Sequence, residues 1–262
     1  MKIVVTVKLV PDTNADKRID PGTKRLVRTG VETVLNPFDE YALEAALQLK
    51  EKLGGDSTVT VVSMAPETGK EVVRKALAMG ADDAVMLSDP GCEGSDVLGT
   101  AYALAGVIRK IGFELVLCGT QSTDAITGEL PGALAEFLGV PGLTYARKVD
   151  VDGTMVVAER ETDNGYLKVR VPLPALVSVT KSANEPRYPS LKGIMGAKKK
   201  TIAMLTLGEL ALERPVGTDG AKTELVALMD PPVRGKGRIV NAADGAEGAK
   251  IILEFLREKK LV

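Results

Sequence analysis

The chain has 262 residues, a formal net charge of −1 and no histidine, so it can form neither a Ser-His-Asp triad nor an HExxH zinc site. Aromatic residues make up 3% and charged residues 26%, and the near-neutral charge gives no indication of nucleic-acid or anionic-membrane binding. Two cysteines, Cys92 and Cys118, are too few for a thiolate metal cage, and we expect no metal site. The sequence shows neither a signal peptide nor an apolar run of about 18 residues, which predicts a cytoplasmic protein without membrane insertion.

The first half of the chain alternates predicted strands and helices. A β-branched run at residues 2–10 predicts a strand, and Asn36-Pro37 marks the start of a helix that ends at Gly54-Gly55. Further strands are predicted at 57–64, 84–87 and 114–118, and helices at 66–79, 95–111 (capped by Ser95) and 127–138. Because the connections are short, this α/β pattern predicts a doubly wound, mainly parallel sheet with helices on both faces.

The pattern changes after residue 141. Strands at 144–151, 154–161 and 166–171 are separated by hairpin turn signals, and a last apolar strand follows at 175–180. The remaining chain is irregular, with a Pro/Gly-rich stretch at 214–237 and a final helix at 246–260. We therefore expect an α/β domain over residues 1–182 with a small antiparallel hairpin region, a loop and helix over 183–203, and an extended C-terminal arm over 204–262.

The segment from Cys118 to Pro131 is the best candidate for ligand binding. It leaves a predicted strand, is small and polar, and enters a predicted helix whose N–H groups at 126–128 favour an anion. Thr123 and Thr127 add hydroxyl groups, and Asp124 can accept from ribose hydroxyls. A capped strand-to-helix loop without a ligand explains the same residues. GxGxxG is absent, and the nearest approach to a P-loop, at 64–71, lacks its first glycine and its final Ser or Thr.

A second unusual segment runs from Asn184 to Leu191. Its two prolines confine the backbone, while Tyr188 and Leu191 are presented among polar residues. These features are typical of a loop that docks on a partner, although a plain strand-to-helix connector is the alternative.

Residues 184–200 (NEPRYPSLKGIMGAKKK) closely resemble the recognition loop and following helix of the electron-transfer flavoprotein β subunit. Residues 159–175 resemble the signature segment of that family. Residues 7–12, 36–40 and 76–82 are also typical of it. The resemblance covers residues 1–205 and implies an adenine-nucleotide α-hydrolase-like fold, whereas the tail matches only loosely.

The resemblance implies an electron carrier that is not itself catalytic. The family's β subunit forms a heterodimer with a larger α subunit that holds most of the FAD, and it keeps AMP in its own core. Electrons arrive from dehydrogenases, such as the acyl-CoA dehydrogenases of fatty acid oxidation, and leave to a quinone oxidoreductase or another acceptor. In this setting the arm over 204–262 packs on the α subunit.

The resemblance also implies roles for individual residues. Leu191, with Tyr188, docks on the dehydrogenase, and Phe38, with Thr13, lies near the FAD of the α subunit. The loop before Thr127 is shorter than the aspartate-rich form of many members. The residues expected to contact AMP are Thr6, Lys8, Asn36, Met64, Gly119, Ser122, Thr123, Asp124, Thr127 and Gly128.

Three other functions remain open at this point. A bifurcating member of the family holds a second FAD in place of AMP. A stand-alone adenine-nucleotide-binding protein, akin to universal stress proteins, or an ATP-cleaving enzyme of related fold shares the same strand and loop pattern. A purely structural interaction protein needs only the docking loop and the arm.

Overall fold

The structure, a computed structural model, describes residues 1–28, 30–227, 229, 232, 235, 237 and 239–262. Within them the chain forms two compact units, Met1–Leu225 and Val226–Val262. Residues 228, 230, 231, 233, 234 and 236 of the predicted Pro/Gly-rich stretch lie outside the described residues.

The strands and helices follow the predicted alternation, except that residues 2–10 form two strands rather than one and that three short strands between residues 19 and 35 were not predicted. The strands are β1 (Lys2–Thr6), β2 (Leu9–Pro11), β3 (Ile19–Asp20), β4 (Arg25–Leu26), β5 (Thr33–Leu35), β6 (Thr58–Met64), β7 (Asp83–Leu87), β8 (Leu115–Gly119), β9 (Gly142–Asp152), β10 (Met155–Thr162), β11 (Gly165–Pro172), β12 (Ala175–Val179) and β13 (Ile202–Leu205). The α-helices are α1 (Pro37–Leu53), α2 (Lys70–Met79), α3 (Val97–Ile111), α4 (Leu130–Leu138), α5 (Leu191–Lys199), α6 (Gly217–Gly220) and α7 (Gly245–Glu258).

One large sheet organises the first unit, in the order β11-β10-β9-β12-β8-β1-β6-β7-β13. Neighbouring strands in the part β9-β12-β8-β1-β6-β7-β13 of this order pair in parallel. At one edge, β10 pairs antiparallel with both β9 and β11. The predicted fold class, with its antiparallel hairpin region, is confirmed.

Both faces of the central strands are buried, which explains their uninterrupted apolar sequences. Along β1, Ile3 and Val5 pack with α1 and α2 on one face, whereas Val4 packs with α3 and α4 on the other. Side chains alternate sides along a strand, so the run IVV supplies two hydrophobic cores at once. The core thus fixes β1 in the middle of the sheet.

Three helix starts differ from the predictions. α2 begins at Lys70 rather than at residue 66, because a 3-10 turn over Glu67–Gly69 precedes it. α3 is capped by Asp96, whose carboxylate accepts from Gly99 N–H at 2.8 Å, while Ser95 hydrogen-bonds Cys92 and Gly217 instead. α4 begins at Leu130 rather than at residue 127, because Gly128 adopts a left-handed φ of 68° that a helix cannot contain. The predicted N–H groups at 126–128 are therefore part of a loop, not of a helix N-terminus.

The compact body continues past the predicted boundary at residue 204. β13 pairs in parallel with β7, and Leu210 and Val216 are buried against the α3 side of the core. The second compact unit starts at Val226 and contains α7, capped by Asp244. Among the described residues, no helix has the length and apolar character needed to cross a membrane.

Candidate nucleotide-binding site

The candidate site lies where the order of the strands in the sheet reverses, next to β1. The chain proceeds from β1 to β6 and β7 on one side of β1, whereas β8 lies on the other side. In a parallel sheet such a switch point opens a crevice at the carboxyl ends of the strands. Lys8 follows β1 at that edge, and the polar loop 120–129 follows β8. Lys8 and the loop before Thr127, which are both expected to contact AMP, therefore lie at the same edge of the sheet.

A charged cluster occupies this edge. Lys8 Nζ donates to Asp124 Oδ1 at 2.7 Å and to Ser122 Oγ at 3.2 Å, and Arg28 Nη2 donates to Asp124 Oδ2 at 2.5 Å. The Asp124 side chain has no exposed area, while Lys8 and Arg28 remain 41% and 46% exposed. The carboxylate therefore lies beneath two cations that still face solvent and can meet an anionic ligand.

The two cations keep Asp124 ionised. Burial alone raises the pKa of this carboxyl, but the charge and hydrogen bond of Lys8, with hydrogen bonds from Ser122 and Arg28, lower it to about 2. Arg28 was not among the predicted site residues. It lies 96 positions from Asp124, and no local pattern marks it as part of the site.

Asn36 holds the loop in place. Its Nδ2 donates to the Gln121 carbonyl at 2.9 Å, and its Oδ1 accepts from Thr123 N–H at 3.2 Å. The residue is 1% exposed, and its side chain does not cap α1. Because its amide nitrogen and its amide oxygen both bond the loop backbone, Asn36 holds the loop in position.

The first turn of α1 also touches the ends of β1 and β8. Asp39 accepts from Lys8 N–H at 2.8 Å, and burial raises the pKa of Asp39 to about 7 despite this bond. A Cβ at Gly119 would lie 2.5 Å from Asp39 Oδ1 and 2.7 Å from the Phe38 carbonyl oxygen. Gly119 is thus required for close packing. The sequence pattern marks Asp39 only as an acidic residue that favours the helix N-terminus.

The loop provides polar groups that suit a nucleotide. Thr123 Oγ1 is buried and, among the described residues, has no hydrogen-bond partner, which is rare for a buried hydroxyl. A ligand hydroxyl or phosphate oxygen beside it would supply that partner. At Gly128 a Cβ would lie 2.9 Å from the Tyr145 hydroxyl, so a close approach and a positive φ both require glycine. Partly exposed cations and an unsatisfied hydroxyl together fit a ligand that carries phosphate or hydroxyl groups.

Other predicted site residues lie around this cluster without joining its hydrogen bonds. Thr6 is buried beside Cys118, a thiol whose pKa burial raises to about 12, and Met64 ends β6. Thr127 and Thr13 are exposed, and Phe38 is half-buried in the first turn of α1. In the part of the chain that the structure describes, no group of three or more acidic or cysteine side chains is placed to hold a metal ion.

The predicted docking loop lies on the surface. Tyr188 is 94% exposed and Leu191 is 83% exposed, at the N-terminus of α5. Ser190 caps this helix by accepting from Gly193 N–H at 3.0 Å. An exposed tyrosine and leucine at the end of a capped helix form a small apolar surface that suits contact with a partner.

Comparison with known proteins identifies the family of this chain. Residues 23–210 match the model of the electron transfer flavoprotein domain family. Over 265 aligned residues, covering 99% of both chains, the protein is 43% identical to the electron transfer flavoprotein subunit beta of Mycobacterium tuberculosis (strain ATCC 25618 / H37Rv). It is 39% identical to the Megasphaera elsdenii subunit over 272 residues, and 35% identical to the caffeyl-CoA reductase-Etf complex subunit CarD of Acetobacterium woodii over 264, with complete coverage of both chains in each case. The chain therefore belongs to the electron transfer flavoprotein family, and it resembles the β subunits of that family over its whole length.

Proposed function

We propose that the chain is the β subunit of a heterodimeric electron carrier and that the site at the β1–β8 switch point holds AMP. In this proposal an α subunit holds most of the FAD, which supplies the redox chemistry, and the β subunit is not itself catalytic. Electrons arrive from dehydrogenases, such as those that oxidise acyl-CoA, and leave to a quinone oxidoreductase or another acceptor. We place the heterodimer in the cytoplasm.

The observation that carries the nucleotide proposal is the combination of exposed cations with an unsatisfied hydroxyl. The side chains of Lys8 and Arg28 are partly exposed and pair with the buried Asp124 carboxylate, and Thr123 Oγ1 lacks a partner among the described residues. The cations would attract the phosphate of AMP, and the Thr123 hydroxyl would bond the nucleotide within the loop. Asn36 would keep this loop in the geometry that the nucleotide requires.

The same helix turn links the nucleotide site to the flavin. Phe38 lies in α1 next to Gly119, between the buried Asn36 and Asp39. We infer that its half-buried ring, together with the exposed Thr13, faces the FAD of the α subunit. In this position Phe38 and Thr13 would help to hold the flavin and would exclude water from it.

The C-terminal unit provides a surface for the α subunit. In α7, Ile252 is 62% exposed, Leu253 41% and Phe255 46% exposed. An amphipathic helix with such an apolar stripe buries it against another surface when one is present. We therefore propose that residues 226–262 pack on the α subunit as an arm.

Co-expression with an α subunit tests this function. The expected product is a stoichiometric, yellow complex whose flavin is reduced by an acyl-CoA dehydrogenase and its acyl-CoA substrate. A colourless complex, or a stable monomer that binds or cleaves ATP, would refute the proposal. A complex with two flavins per heterodimer would retain the family but replace AMP with a second FAD.

Leu191→Ala tests the docking loop within the same complex. Truncating an exposed anchor removes docking energy, so the KM for the carrier should rise about tenfold while flavin content stays unchanged. Leu167→Ala is a matched control, because Leu167 is also an exposed leucine, at 56%, but lies on the edge strand β11, outside the docking loop and the nucleotide site. Equal KM values for Leu191→Ala and the unmodified complex would contradict the assignment.

A further inference from the structure

We propose that Arg187 is a positioning residue that fixes the docking loop, residues 184–190, on α1 and so presents Tyr188 and Leu191 to the dehydrogenase. The inference rests on the proposed docking function. Beyond the docking function, it explains how the loop is held in its binding conformation before a partner binds.

The side chain of Arg187 forms a double fork on α1. Its Nε and Nη2 donate to the two carboxylate oxygens of Glu44 at 2.8 and 3.0 Å, and its backbone N–H donates to Glu44 Oε2 at 3.2 Å. Nη1 and Nη2 also donate to Glu51 at 2.5 and 3.1 Å. Residues 44 and 51 lie two turns apart on one face of α1, so a single guanidinium bridges both. The planar geometry of arginine matches this arrangement, and lysine has no equivalent.

Burial distinguishes this contact from an ordinary surface ion pair. The Glu44 side chain is 4% exposed, whereas Arg187 is 34% and Glu51 60% exposed. A carboxylate taken out of water is costly unless it is paired and hydrogen-bonded, and Gln48 Nε2 adds a further bond to Glu44 at 2.9 Å. Removal of Arg187 would leave the Glu44 charge without its main partner, so the native arrangement strongly favours the loop in contact with α1.

The loop is held on both sides of its exposed residues. Before Arg187, Asn184 Nδ2 donates to the Tyr41 carbonyl of α1 at 3.0 Å. After Leu191, a Cβ at Gly193 would lie 2.3 Å from the Ala78 carbonyl oxygen, so α5 and α2 are in close backbone contact. The exposed residues therefore lie on a short segment fixed at both ends. Such preorganisation lowers the entropy lost when the segment binds a partner.

Steady-state kinetics of the complete α/β complex test the proposal. The assay uses an acyl-CoA dehydrogenase reduced by its acyl-CoA substrate, with the complex as the varied electron acceptor. Arg187→Gln should raise the KM for the complex about tenfold and leave kcat and flavin content unchanged. Arg187→Lys should recover little of the loss, because a lysine cannot form the fork. Unchanged KM values in both variants would overturn the inference.

Glu44→Gln separates positioning from direct contact with the dehydrogenase. Glu44 is buried and cannot touch a partner, so its variant should raise KM in the same direction as Arg187→Gln. Lys75→Gln is the matched control, since Lys75 pairs with Glu40 at 2.5 Å between α2 and α1 and has no bond to the docking loop. A normal KM for Glu44→Gln, or a KM for Lys75→Gln raised as much as that for Arg187→Gln, would show that Arg187 acts by its charge or by touching the partner.

A double-mutant cycle with Leu191→Ala gives the most specific readout. If Arg187 acts by presenting Tyr188 and Leu191, Arg187→Gln should raise KM clearly less in the Leu191→Ala background than alone, and multiplying effects would contradict the inference. Hydrogen exchange at residues 184–190 should be faster in Arg187→Gln, and unchanged exchange would also contradict it. A normal KM for Leu191→Ala refutes the docking function itself. A raised KM for Leu191→Ala with a normal KM for Arg187→Gln refutes only the role of Arg187.

Discussion

Gly119→Ala should disrupt both the packing and the nucleotide site. The added Cβ would lie 2.5 Å from Asp39 Oδ1 and 2.7 Å from the Phe38 backbone, whereas ordinary contacts begin at 3.4 Å. The first turn of α1 must therefore retreat by roughly 0.7–0.9 Å. Because the obstacles are backbone and a buried carboxylate, we expect a loss of about 3 kcal/mol in the free energy of unfolding, the upper part of the range for overpacking.

Thermal unfolding and nucleotide content measure this effect together. A loss of about 3 kcal/mol corresponds to a fall of about 6–12 °C in Tm for a chain of this size. The retreat of α1 also moves Asn36 away from the loop at Gln121, so the purified complex should contain much less AMP. Circular dichroism of the complex and mass spectrometry of the released nucleotide provide the two readouts.

Gly132→Ala is the matched control for this prediction. Gly132 lies in α4, is exposed, and has nothing within 4 Å of the position that an added Cβ would occupy, so alanine should stabilise the helix by about 1 kcal/mol. AMP content should not change. If Gly119→Ala keeps the Tm and the AMP content of the unmodified complex, the close contact between α1 and β8 does not support the site as argued.

Three further predictions concern charge. Asp124→Asn should lower stability by about 1 kcal/mol at pH 7, because Lys8 and Arg28 are half-exposed and solvent weakens their attraction to the carboxylate. Since the pKa of Asp124 is lowered to about 2, this stabilisation is present above pH about 4 and is lost as the pH falls toward 2. A difference in Tm between Asp124→Asn and the unmodified chain that does not change with pH would contradict this prediction. Asp39→Asn should gain stability relative to the unmodified chain as the pH rises from about 4 through 7, on the order of 4 kcal/mol at most, because the raised pKa makes ionisation of the buried group unfavourable. If the Tm of Asp39→Asn falls relative to that of the unmodified chain as the pH rises over this range, the reasoning is refuted. Asp152→Asn, in an exposed ion pair, should change Tm little at any pH.

The sequence predicted the parts of the fold that depend on local patterns. The apolar run of β1 marks a strand buried on both faces, and Pro37 and Gly54 mark the ends of α1, where Gly54 adopts a φ of 62°. β13 was not predicted, because its four residues form a sheet edge only through their pairing with β7. The start of α4 was predicted too early, since the left-handed conformation of Gly128 is not visible in the hydrophobic pattern.

The candidate site was predicted in outline from the loop and from family resemblance. Lys8, Ser122 and Asp124 meet as expected, because the carboxyl ends of neighbouring parallel strands share one edge. Arg28 and the clamping role of Asn36 depend on contacts between distant segments, and no spacing rule in one sequence reports such contacts. The structure therefore adds to Asn36 the role of holding the loop, and its expected contact with AMP stays a prediction.

The nucleotide content of the purified α/β complex tests the central claim most directly. The complex is denatured, and the released small molecules are identified and counted by mass spectrometry. The account predicts one AMP and one FAD for each heterodimer, and a clear loss of AMP with retained FAD in Lys8→Met. A complex that carries FAD but no AMP, or two FAD molecules and no AMP, would contradict it.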